Sequence, residues 1–81
     1  MTDLPHRTFV FDTTNAALWA EEVAREAGIP VEVVPAPSES LARCDLALIT
    51  LAGCSGRLAE ALGAAGVRFR AWPHDAVGAP Q

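Results

Sequence analysis

Eighty-one residues suffice for one small domain and leave no room for a second core. Hydrophobic residues make up 51% and charged residues 20%, a folding rather than a disordered composition, with much of the apolar share in alanine and leucine. Ten acids stand against six arginines and no lysine, for a net charge of -4, which argues against a nucleic-acid partner because such binding relies on neutralised phosphates.

The longest apolar run is far short of the ~20 residues that span a bilayer, so no membrane partner is expected. No basic leader precedes an apolar stretch in the first thirty residues, and two cysteines do not declare a disulfide framework. The expectation is a reduced, cytoplasmic protein.

In chain order, "RTFVF" (7–11) alternates as a strand. A helix follows, capped by Thr13 or Thr14, whose hydroxyl accepts an otherwise unpaired N–H. Ala16, Ala20, Val23 and Ala27 form its predicted apolar stripe, with Trp19 beside them as a packing residue. Gly28 ends the helix and Pro30 blocks its continuation. "VEVVP" (31–35) is a short β-branched strand closed by proline. "APSES" is a loop, and residues 37–43 have room for one helical turn. "CDLALITL" (44–51) is apolar on both faces, as a central strand is. A second helix is expected with Ser55 as its cap, Leu58, Ala61, Leu62 and Ala65 as its stripe and Gly66 as its stop. "VRFRAW" (67–72) is the last strand, with Arg68 and Arg70 on one face, and 73–81 reads as a flexible tail.

The order β-α-β-β-α-β predicts an α+β, ferredoxin-like domain over 7–72, with a four-stranded antiparallel sheet and both helices on one face. A three-layer α/β unit is the competing arrangement, but two helices cover both faces of four strands poorly. The open sheet face would carry some apolar surface, which suggests a homodimer or a docking face.

Cys44 and Cys54 are the candidate thiols. Cys44 stands between Arg43, which favours a thiolate, and Asp45, which opposes one; as a small hydrophobe it is equally at home in a core. Cys54 precedes the second helix, where the positive end of the dipole favours an anion. An intervening strand would hold the two roughly 25 Å apart, beyond disulfide reach. Asp12, beside Thr13 and Thr14, lies where ligands often meet sheets, and as a turn carboxylate it needs no ligand. No metal or cofactor site is expected, since His6 and His74 both lie in tails and no ligand-spaced cluster exists. No Ser/His/Asp set or acid–base pair marks an enzyme.

The run from 8 to 48, "TFVFDTTNAALWAEEVAREAGIPVEVVPAPSESLARCDLAL", resembles a family of small selenium/sulfur carrier-like domains of unknown function. The likeness rests on Phe9, Phe11, Thr13, Thr14, Ala17, Glu21, Gly28, Ile29, Pro30, Val31, Pro35, Pro37, Ser40 and Cys44. It extends over about 7–72. Members look like stand-alone domains or are fused to a TusA-type sulfur-transfer domain. The resemblance implies that Cys44 accepts a persulfide sulfur from a donor protein and passes it to an acceptor, with Ser38 and Ser40 in its loop. The family usually follows its cysteine with glycine, whereas Asp45 stands here. A non-catalytic binding or oligomerisation module using the open sheet face is the alternative. Carriage predicts an accessible Cys44; the module predicts a buried one.

Overall fold

The computed structural model describes residues 5–37 and 44–72. In chain order the strands and α-helices are β1 (His6–Val10), α1 (Thr14–Glu26), β2 (Val31–Pro35), β3 (Leu46–Leu51), α2 (Ser55–Ala65) and β4 (Arg70–Trp72). The sheet order is β2-β3-β1-β4 and every neighbouring pair is antiparallel. Both helices pack on one face, so the ferredoxin-like α+β expectation holds.

The strands are shorter or shifted relative to their apolar runs. β1 runs from His6 rather than Arg7 and stops at Val10, β3 begins at Leu46 rather than Cys44, and β4 begins at Arg70 rather than Val67. Only Arg70 of the Arg68–Arg70 pair therefore lies in a strand. β1 meets β4 through three register pairs, Thr8 to Val10 with Trp72 to Arg70, and beyond Val10 the two chains separate.

Alternation sends Phe9, Leu48 and Val33, which are aligned in register, towards the helices. There they join Phe11, Ala17, Ala20, Ala24, Leu58 and Leu62 in the core. Each large apolar side chain so buried contributes roughly 1.5–3 kcal/mol. Phe9 also packs on Phe69, ring centroids 5.2 Å apart and planes tilted by 44°. On the other face Val10 and Ala47 are register partners and fully buried, while Leu51 at the end of β3 is 41% exposed. The centre of that face is therefore not an open apolar surface.

Thr13 is the cap of α1: in extended conformation (φ -140°, ψ 156°), its Oγ1 accepts the Ala16 N–H at 3.0 Å. The buried stripe is Ala17, Ala20 and Ala24, one position round from the predicted one; Ala16 and Val23 are half-buried and Ala27 is exposed. Trp19, expected to pack, is 50% exposed. The stripe of α2 stands as read, with Leu58 and Leu62 buried and Ala61 and Ala65 at its edges. Ser55 does not cap α2. A 3-10 turn, Ala52–Cys54, moves the start by one residue, so Cys54 takes the cap position and Ser55 Oγ donates to the Ala52 carbonyl at 2.9 Å.

Both helices stop by the same device. Gly28 (φ 74°) bonds to the Arg25 carbonyl and Ile29 N–H to the Ala24 carbonyl; Gly66 (φ 84°) bonds to Gly63 and Val67 to Leu62 in the same way. The left-handed turn suits glycine, and the residue after it, Ile29 or Val67, is buried against the core. Thr50, a buried polar residue of β3, donates from Oγ1 to the Pro30 carbonyl at 2.7 Å. Among the described residues no helix is long and apolar enough to cross a membrane.

Candidate functional site

The β2–β3 ladder is closed at its loop end by the Ala36 N–H donating to the Asp45 carbonyl at 2.8 Å. Cys44 stands immediately on the loop side of that bond. Because β1 and β3 are antiparallel, the start of β3 lies at the same end of the sheet as the end of β1 and the beginning of α1. The topology therefore brings Cys44 to Thr14, thirty residues earlier, with Sγ 3.8 Å from the threonine Oγ1.

The sulfur has two nearer neighbours. The Leu46 N–H donates to it at 3.2 Å, and the Leu46 carbonyl lies 3.3 Å away, where it accepts the thiol proton. Deprotonation would turn that carbonyl from a partner into a repulsive neighbour. The Leu46 N–H would remain, and the Thr14 hydroxyl can rotate to donate. The first turn of α1, where Thr14 sits, also presents the positive end of the helix dipole.

Cys44 is only 4% exposed and belongs to the core. That is less accessible than a carrier thiol was expected to be. Asp45, the next residue, is exposed, so its carboxylate is solvated rather than buried beside the sulfur. The polar neighbours of Cys44 in sequence gave no sign of this burial, since the contacts that create it come from Thr14 and the core.

The other predicted site residues divide into three groups. Asp12, Thr13 and Thr14 lie together at the Cys44 end, all exposed, with Thr13 engaged as a cap and Thr14 facing the sulfur. Cys54 is at the opposite end of the sheet, half-buried at the start of α2, with no capping hydrogen bond from its side chain. Ser38, Ser40 and Arg43, with His74 of the tail, lie outside the described residues. Among the described residues no three of His, Cys, Asp and Glu gather as metal ligands.

Missed by sequence reasoning is a trough beside the Cys44 end. One part, of about 390 Å³, is lined by Asp12, Asn15, Trp19 and Arg68 among others. The adjoining part, of about 360 Å³, runs between Phe11–Asp12 and the segment from Val67 to Arg70. The available signal was Trp19, a large aromatic in a helix otherwise built on alanine.

Comparison with known proteins supplies a family. Searches of curated proteins and of solved structures return no match. The sequence profile of the family described as "Putative Se/S carrier protein-like" matches residues 7–72, the same span over which the resemblance was read, and the chain belongs to that family.

Proposed function

We propose that the protein carries sulfane sulfur, or selenium in its place, on Cys44, taking it from a donor protein and handing it to an acceptor. The Cys44 thiolate attacks the outer sulfur of the donor's persulfide. A new S–S bond forms as the donor's S–S bond breaks, and the electron pair leaves with the donor thiolate, which can take up the proton that Cys44 released. No net oxidation occurs and no general acid or base of the carrier is required.

The observation that carries this reading is the hydrogen bond from the Leu46 N–H to Sγ, which supports an anionic sulfur at the one cysteine beside the start of α1. Family membership supplies the carrier-type role in general terms. The contact to Thr14 is long, so freeing the sulfur from it costs little.

Burial of Cys44 favours a second reading, a binding or oligomerisation module in which the cysteine is a core residue and the chain acts as a homodimer or through a partner. One experiment separates them. The reduced native protein is incubated with cysteine persulfide and its peptides are weighed. Carriage predicts one added sulfur on the Cys44 peptide of the wild type and none at that position in Cys44→Ser. If Cys44 takes up sulfur only after denaturation, carriage is wrong and the module reading stands.

A further inference from the structure

We propose that Trp19, Arg68 and Arg70 form a docking site for an acidic segment of the protein that exchanges sulfur with Cys44. The inference rests on the carrier reading for its purpose, but its geometry is independent of the thiol.

The site arises from the way β4 ends. β1 and β4 pair only from Thr8 to Val10, so Phe11–Asp12 and Val67–Phe69 diverge and leave a depression between them. Asp12, Val67 and Arg68 line both this depression and the one that holds Trp19, so the two adjoin along those residues. Its wall at Asp12–Thr13 is the turn whose next residue, Thr14, lies 3.8 Å from the Cys44 sulfur. A chain seated in the trough is therefore next to the thiol-bearing end of the sheet.

The chemistry of the trough selects the occupant. Arg68 and Arg70 are exposed, and the ion pairs among the described residues join Arg25 to Glu21 and Glu22, leaving both of these guanidiniums without a carboxylate. Among the described residues Asp12 is the one carboxylate lining the trough against those two cations. The chain as a whole carries -4, so an acidic partner is repelled from most of the surface and drawn to this part of it. Trp19, 50% exposed at the rim, offers a rigid aromatic anchor, and tryptophan and arginine are the residues that most often dominate protein interfaces.

The test uses the full reduced chain and a fluorescein-labelled peptide of alternating glutamate and leucine, with the lysine–leucine peptide as its counterpart, read by anisotropy. The acidic peptide is expected to bind, more weakly as salt rises, and to bind roughly tenfold more weakly to Arg68→Gln and to Trp19→Ala. Arg57→Gln, which changes an exposed arginine of α2 outside the trough, should bind as the wild type does. Thermal melts establish that each variant is folded. The inference is overturned if the wild type does not bind the acidic peptide, if the lysine peptide binds equally well, or if Arg57→Gln weakens binding as much as Arg68→Gln. Binding is measured with no sulfur loaded. Failure to dock while Cys44 still takes up sulfur overturns the docking site alone, and docking by a protein whose Cys44 refuses sulfur overturns carriage alone.

Discussion

The two ends of the sheet each place a cysteine beside the start of a helix, yet they surround the sulfur differently. At the α1 end, Cys44 is buried as part of the same core as Phe11, and its sulfur meets a backbone N–H and a hydroxyl. At the α2 end, Cys54 occupies the cap position itself but makes no capping bond, and Leu51 just before the turn is 41% exposed. Cys54, the second candidate thiol in the sequence, has its argument in the unpaired helical N–H groups beside it. The better-held sulfur is the one that reaches its helix across the fold. The donor that holds it is the Leu46 backbone N–H at the start of β3, and the strand order is what brings the sulfur to α1.

Substitutions can break or sharpen that contrast. The largest effect is expected from Phe11→Ala, which empties the core at the Cys44 end and should cost about 3–5 kcal/mol in urea or thermal unfolding. A loss no larger than that of an exposed residue would mean that this end is not packed as described. Cys44→Ala comes next, because it leaves the Leu46 N–H without its acceptor; a cost of about 1–3 kcal/mol is expected, against about 0.5 kcal/mol or less for Cys54→Ala. Equal costs for the two would erase the distinction. Thr13→Ala removes the α1 cap and should cost about 1 kcal/mol, read as a lower midpoint with an unchanged denaturant slope.

Much of the fold was legible because each element carries its own punctuation. The glycine stops at Gly28 and Gly66 announced the ends of both helices, and the β2 run, with its terminal Pro35, has the bounds read for it. The stripe of α1 was displaced because alanine stands at 16, 17, 20, 24 and 27, so two faces of the helix look equally apolar and only tertiary packing chooses between them. Ser55 reads as a cap in the sequence because a 3-10 turn leaves little mark there. The candidate site was legible as a list, Asp12 to Thr14 and Cys44, but not as an arrangement. The contact between Thr14 and Cys44 spans thirty residues and depends on the strand order, and the trough depends on where β4 lets go of β1.

The bond from Thr50 to the Pro30 carbonyl has a consequence for how β2 may be threaded. In β2, Glu32 lies between Val31 and Val33, and the two valines pack towards the helices while the glutamate stays exposed. A slip of one residue against β3 would drive the Glu32 carboxylate under α1 and expel both valines. It would also carry the carbonyl of Pro30 away from the Thr50 hydroxyl and leave a buried donor unmatched. One hydroxyl on β3, bonded to the carbonyl just ahead of the strand it checks, thus makes the misthreaded sheet costly on two counts at once.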